Sequence, residues 1–127
     1  MAHDVTLKSG RFWREENILR GQAADGAEAT LDSAREQVAA QRQQLDDGKP
    51  LPFLMDIRRA RSLSREARNY FASDEAAQVF AATALLVSSP LSRAIGNFFL
   101  GLNKPKMQTR LFTDENEALA WLKSVAP

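Results

Sequence analysis

The chain has 127 residues, of which 44% are hydrophobic and 26% are charged, and its formal net charge at pH 7 is +1. These values predict one globular domain over residues 1–127, with residues 1–10 left open as a flexible terminus, and the small net charge predicts no nucleic acid partner. The chain has no Cys and its only His is His3, which excludes disulfides, thiolate nucleophiles and His-based catalytic or metal sites, so we expect no enzyme, no metal and no cofactor.

The first elements predict a β-hairpin. Phe12 and Trp13 lie in one strand, which Val5 and Leu7 can extend, and residues 18–19 begin the second strand. The turn falls at residues 15–17, where Asn17 tolerates a left-handed backbone. Residues 21–29, rich in Gly, Ala and Asp, predict a loop.

A surface helix is predicted over residues 31–47. Thr30 is a suitable N-cap, and Gly48 with Pro50 ends the helix. Its apolar positions form a narrow stripe, so one face is docked and the polar remainder faces water. The stripe consists of Leu31, Ala34, Val38 and Leu45.

Two buried strands and a pair of capped helices follow. Residues 51–57 predict a central strand, and Ser64 begins a helix that runs to about Ala72. Ser73 caps a further helical turn, and residues 81–87 predict a second buried strand.

The last third of the chain predicts helix, strand and helix. Ser89 and Pro90 begin a helix with apolar residues at helical spacing up to Leu102. Residues 109–112 predict a strand, and Asp114 caps the final helix. The apolar stretches are too short or too interrupted to span a bilayer, and the N-terminus has no signal pattern, so we expect a cytoplasmic protein without a membrane span.

The predicted order alternates strands with helices after the hairpin. This order predicts an α/β fold with a mostly parallel four- to five-stranded sheet, an N-terminal β-hairpin and about four covering helices.

This order, and residues 53–71 in particular, resembles the STAS fold of anti-sigma-factor antagonists. In that family a strand ends in Asp, a short loop follows, and a Ser near the start of the next helix is phosphorylated by a partner kinase. Here Leu54-Met55-Asp56 matches the strand end, and Ser64 opens the helix. By spacing, Ser64 stands where the family has its Asp, and Arg65 stands where the family has the phosphorylated Ser.

The C-terminal half is similar to uncharacterised small bacterial STAS-like (SpoIIAA-like) proteins. The similarity lies in the stretches at residues 89–105, 109–115 and 117–122. It implies the SpoIIAA-like fold and no established activity, since one fold hosts many functions.

A cluster of arginines begins after the central strand and continues into the next helix. With the acids between them, residues 56–68 carry a net charge of +3. Ligands of open α/β sheets bind at this end of the strands, so an acidic partner or an anion could bind here. A solvated face whose arginines pair with acids is the alternative. The cluster is Arg58, Arg59, Arg61, Arg65 and Arg68.

Ser64 is also a candidate phosphosite. A phosphoryl group at a helix N-terminus among arginines is favourable, whereas capping alone also accounts for a Ser at this position.

The helix over residues 91–102 is apolar on more of its circumference than one docked face needs. It is a candidate partner, homodimer or ligand surface, and a buried core helix is the alternative. The candidate interface residues are Leu91, Ile95, Phe98, Phe99 and Leu102.

These observations favour a non-catalytic protein–protein interaction module in bacterial regulation. The loop at residues 58–64 and the helix at residues 91–102 are its expected contact surfaces. The alternative is a carrier that holds an apolar or anionic small molecule between the same two elements.

Overall fold

A computed structural model describes residues 4–125 of the chain. The strands are β1 (Asp4–Leu7), β2 (Gly10–Glu15), β3 (Ile18–Ala23), β4 (Glu28–Ala29), β5 (Leu51–Asp56), β6 (Ser62–Leu63), β7 (Phe80–Leu86) and β8 (Gln108–Phe112). The helices are α1 (Leu31–Arg42), α2 (Arg65–Phe71), α3 (Asp74–Ala77), α4 (Pro90–Phe98) and α5 (Glu115–Val125), and a π-helical segment, Phe99–Asn103, continues α4.

The main sheet has six strands in the order β1-β2-β3-β5-β7-β8. The pairs β1–β2 and β2–β3 are antiparallel, while β3, β5, β7 and β8 run parallel to one another. This confirms the predicted α/β fold, the N-terminal hairpin and the central place of β5. The sixth strand is β1, which the sequence left open between a flexible terminus and an extension of β2. His3 lies outside the described residues.

Helices cover both faces of the sheet unequally. Alternating side chains of β5 point to opposite faces, so Phe53 packs with α1 and α3 while Leu54 packs under α5. Phe53 also stacks on Phe80 of β7, with 4.4 Å between the ring centroids. The helices α1 to α4 therefore lie on one face, which we call the helix face, and α5 alone covers the other.

The predicted helix starts are confirmed by side-chain caps. The hydroxyls of Thr30, Ser64, Ser73 and Ser89 each accept a hydrogen bond from a backbone N–H of the first turn. Asp114 Oδ1 accepts from Glu117 N at 3.0 Å before α5. Pro90 occupies the first turn of α4, as predicted.

The loop prediction for residues 21–29 is wrong at both ends. Gly21 to Ala23 belong to β3, and a two-residue parallel ladder joins β4 to β6. The small residues reflect close packing, because a Cβ on Gly21 would stand 2.7 Å from Met55 Sδ and 3.0 Å from Phe12. In the preceding turn, Glu16 (φ 52) rather than Asn17 takes the left-handed conformation.

The first helix ends at Arg42, five residues before the predicted Asp47. The Gln44 carbonyl accepts from Arg14 Nη1 at 2.8 Å, and Gln44 Nε2 donates to the Phe12 carbonyl at 3.4 Å. These contacts with β2 hold Gln44 outside the helix. Gln37, Gln41 and Gln44, which were expected to face water, are buried against the sheet.

We predict that Gly10→Ala lowers the free energy of unfolding by about 1–3 kcal/mol, the range for forcing extra volume into a packed site. A Cβ at Gly10 would lie 2.3 Å from the Gln22 carbonyl oxygen, and a backbone atom cannot move aside as a side chain can. Urea unfolding measures the change. Gly101→Ala is the control, since a Cβ there meets nothing within 4 Å. Equal stability of the two variants would contradict the β2–β3 packing.

Candidate functional site

The loop after β5 and the α4–π segment lie side by side at the carboxyl ends of the parallel strands. Ala60 and Leu63 from the loop line the same cavity as Ile95 and Phe99 from the helical segment. The two elements that the sequence selected separately therefore form one region. In open α/β sheets, this end of the strands is where ligands usually bind.

Two of the five predicted arginines serve the fold. Arg58 forms a two-point ion pair with Asp56, with Nη2–Oδ2 at 2.8 Å and Nε–Oδ1 at 3.0 Å, and this hydrogen bonding raises the pKa of Arg58. Arg68 is half-buried. It donates to the Leu63 carbonyl and to Asn103 Oδ1, each at 3.2 Å, and so ties the loop to the π-helical segment.

The other three arginines, Arg59, Arg61 and Arg65, are exposed. Within residues 4–125 their side chains have no ion-pair or hydrogen-bond partner. The loop backbone is nevertheless held, because Gly26 N donates to the Arg59 carbonyl and Arg61 N to the Ala27 carbonyl, both at 2.8 Å. The loop thus presents three uncompensated positive charges from an anchored backbone.

Ser64 acts as the N-cap of α2, since its hydroxyl accepts from Ala67 N at 3.1 Å. Its backbone N–H donates to the Ala29 carbonyl at 3.0 Å, next to the β4–β6 ladder. These contacts account for a hydroxyl residue at this position. Phosphorylation of Ser64 stays a prediction.

The predicted interface helix presents three of its candidate residues to solvent. Leu91, Phe98 and Leu102 are 51%, 57% and 66% exposed, and they are the exposed large hydrophobic residues of the described chain. Positions 91, 98 and 102 recur at seven and four residues, so they lie along one side of the helix. We call these three residues the apolar stripe.

The other two candidates face the protein. Phe99 is buried against Ala72 and Leu85, and Ile95 is half-buried. Gly96 lies against the chain's own β8, where a Cβ would stand 2.6 Å from Leu111 Cδ2. The helix therefore has a packed side and an exposed side.

A cavity of about 90 Å³ lies beneath the packed side of α4. Its walls come from apolar residues of β5, β7 and most other elements of the helix face, together with Ser9, Ser62 and Thr83. The cavity lies between the loop at residues 58–64 and the helix at residues 91–102, where the carrier alternative places its ligand. Its lining residues are too distant from one another in the sequence to be predicted.

The sheet face beside α5 carries a paired polar surface. Trp13 lies between the guanidinium groups of Arg11 and Arg20, at 4.3 and 5.4 Å from its ring centroid. Arg20 reaches Glu115 of α5 at 3.4 Å, and the hydrogen bond between Arg11 and Asp4 lowers the pKa of Asp4. These groups satisfy one another and leave no unpaired charge for a ligand.

Within residues 4–125, none of the helices is long and apolar enough to cross a bilayer. The same residues contain no group of three or more His, Cys, Asp or Glu side chains placed to hold a metal ion.

A family model described as "Domain of unknown function (DUF7793)" matches residues 12–126. Among solved structures, an uncharacterised DUF3478-family protein with a SpoIIAA-like fold from Shewanella loihica PV-4 is similar with a TM-score of 0.63 and 18% identity, over 89% of this chain and 91% of that chain. A protein of unknown function from Arthrobacter sp. FB24 is 34% identical over 84% of this chain and 92% of that chain, with a TM-score of 0.32. No curated protein matches significantly. The similarity to the Shewanella loihica protein confirms the predicted SpoIIAA-like fold.

We predict that Ser64→Ala lowers the free energy of unfolding by about 1 kcal/mol, because α2 loses its N-cap. Ser64→Asp retains most of this stability, since Asp caps equally well. Ser124→Ala, at an exposed position on α5, is the control with little expected change. Chemical denaturation measures all three variants, and Ser64→Ala matching the control would contradict the capping role.

We predict that the free energy of unfolding depends on pH through Tyr70, at the α1–α2 contact. Burial, with a hydrogen bond to Glu75, raises the pKa of Tyr70 to about 12 from the ordinary 10.0. The neutral phenol is thus favoured in the folded state, so its stabilising contribution is complete below pH 10 and is lost as the pH rises through about 12. Tyr70 is the only tyrosine, so tyrosinate absorbance reports it alone. A midpoint near 10 in native protein, equal to that in urea, would contradict the burial.

Proposed function

The chain belongs to the family described as Domain of unknown function (DUF7793), and we propose that it is a non-catalytic cytoplasmic module that binds a partner protein in bacterial regulation. Its SpoIIAA-like fold is consistent with a regulatory protein-interaction domain. The proposed contact surface combines the apolar stripe with the exposed arginines of the loop after β5.

The observation that carries this proposal is the exposure of the apolar stripe. Large hydrophobic residues exposed together on one side of a helix mark a site of association more often than isolated ones do. Burying each of Leu91, Phe98 and Leu102 fully would contribute about 1.5–3 kcal/mol to binding. The i, i+7, i+11 spacing of these residues suits binding of this helix in an apolar groove of the partner.

Charge indicates what kind of partner fits. No Asp or Glu occurs from Ala76 to Thr113, a stretch that includes the whole stripe. Its basic residues are Arg93, Lys104, Lys106 and Arg110. Arg110 stacks on Trp121 on the α5 side of the sheet, whereas the other three belong to α4 and the segment that follows it. With the three exposed arginines of the loop, these three give the region of the apolar stripe positive charge, which suits a partner segment that is apolar and acidic.

The same charges argue against a symmetric homodimer through this surface. A two-fold interface would bring the stripe and its basic surroundings against an identical copy, and like charges across an interface oppose association. We therefore propose a different protein as the partner.

The apolar contribution is tested with Phe98→Ser/Leu102→Ser. After the partner has been cross-linked in cells, identified and purified, we expect this variant to bind it at least about 100-fold more weakly by calorimetry, since two hot-spot residues are lost. The fold should persist because both side chains are exposed. Unchanged affinity would contradict the proposal, as would a protein that sediments with anionic vesicles and captures no partner protein.

The electrostatic contribution is tested with Arg59→Glu/Arg65→Glu. We expect about tenfold weaker partner binding at low ionic strength and a smaller difference in high salt, because salt screens exposed charges. Lys8→Glu/Arg35→Glu makes the same change in net charge at exposed sites elsewhere and is the matched control. Equal losses in both variants would mean that total charge, and not this surface, governs binding.

A further inference from the structure

The cavity beneath α4 has the features of a built ligand site. It lies on the helix face, between β3, β5 and β7 of the sheet and the packed side of α4. We propose that it binds a small aliphatic molecule that carries one hydrogen-bonding group. This inference goes beyond the proposed function and does not depend on any partner protein.

The cavity volume sets the size of the ligand. An apolar cavity of about 150 Å³ holds one benzene molecule, so about 90 Å³ has room for a chain of roughly four carbon atoms. The volume depends on small residues in the wall, because longer side chains at these positions would fill the space. The small wall residues are Ala23, Ala27, Ala29, Ala60 and Gly96.

The lining sets the polarity of the ligand. Phe53, Met55, Leu85 and Phe99 give apolar walls, and none of the described residues around the cavity is charged. An anionic ligand, which the sequence left open, would lose its hydration here without a compensating partner. The apolar alternative is therefore the one that this cavity fits.

The hydroxyl oxygen of Ser9 is a buried polar atom in the cavity wall. Ser9 lines the cavity, and its hydroxyl is buried with no hydrogen-bond partner among the described residues. Buried hydroxyls in proteins are usually hydrogen-bonded, so this one is placed to bond a hydroxyl or neutral carbonyl group of the ligand. The ligand thus has an apolar body and one polar end.

The part of the cavity wall beside the β4–β6 ladder lies near the surface. Ser62 of β6 lines the cavity and is also exposed, and Ala60 in the same loop is half-buried. The ladder joins only two residues on each strand, so separating β4 from β6 breaks few hydrogen bonds and exposes little of the core. This loop is the expected entry for the ligand.

The probes are the normal alkanols from methanol to 1-butanol, and xenon. Titrations followed by methyl NMR should shift Ile57, Leu63, Leu85 and Ile95, which line the cavity. Alkanol affinity should rise about fourfold with each added methylene, as expected for burial of apolar surface. An affinity that does not change along the series, or shifts spread over the whole surface, would overturn the proposal.

Three variants locate the site and its polar end. Ala60→Leu and Ala23→Leu should each abolish binding of both probes by filling the space, and either one suffices if the other fails to fold. Ala120→Leu, on the exposed side of α5, should leave binding intact. Ser9→Ala should weaken 1-butanol about fivefold or more and leave xenon unchanged, because xenon makes no hydrogen bond.

The same titrations separate this site from the partner surface. Phe98→Ser/Leu102→Ser removes side chains that point away from the cavity, so it should bind 1-butanol as the unmodified protein does. Loss of probe binding in that variant, or retained binding in both filled variants, would overturn the assignment of the ligand to this cavity.

Discussion

The burial of β5 on both faces is the constraint on which the rest of the molecule depends. Phe53 and Leu54 are both almost inaccessible to water, although neighbouring side chains on a strand point in opposite directions. Each therefore needs its own apolar cover, which α1 and α3 supply on one side and α5 on the other. Parallel neighbours also require long crossover connections, and these connections are the helices themselves. The loop after β5 consequently leaves the sheet beside the helix face, where it lies next to the α4–π segment.

Much of this arrangement follows from short-range patterns in the sequence. Hydroxyl caps at Ser64 and Ser89 and the apolar runs of β5 and β7 depend on a few adjacent residues, so they could be predicted together with the fold. Contacts between distant residues could not. The end of α1 is decided by bonds from Gln44 to β2, and Gly21 lies in a strand because Phe12, Phe53 and Met55 crowd it.

The candidate site was predictable to a similar degree. The arginine run and the apolar helix stand out in the sequence, and both lie in the region proposed for binding. Their separate roles are set by their partners: Asp56, only two residues away, pairs with Arg58, whereas Arg68 donates to the nearby Leu63 carbonyl and to the distant Asn103. The absence of Asp and Glu from Ala76 to Thr113 could have indicated from the sequence that this helix lies in a positively charged stretch. The cavity had no such signal, since its walls come from most of the elements of the helix face.

The placement of the two tryptophans determines what optical spectroscopy reports for this protein. Trp13 pairs across the sheet with Arg20, whose guanidinium reaches α5, and Trp121 belongs to α5 and packs on Phe112. Both indoles thus belong to the layer opposite α4, and the sheet separates them from the cavity and the apolar stripe. Tryptophan fluorescence therefore follows the unfolding of the α5 layer and is insensitive to events at α4. A flat emission titration says nothing about binding there, and an extrinsic dye on the helix face is the suitable optical reporter.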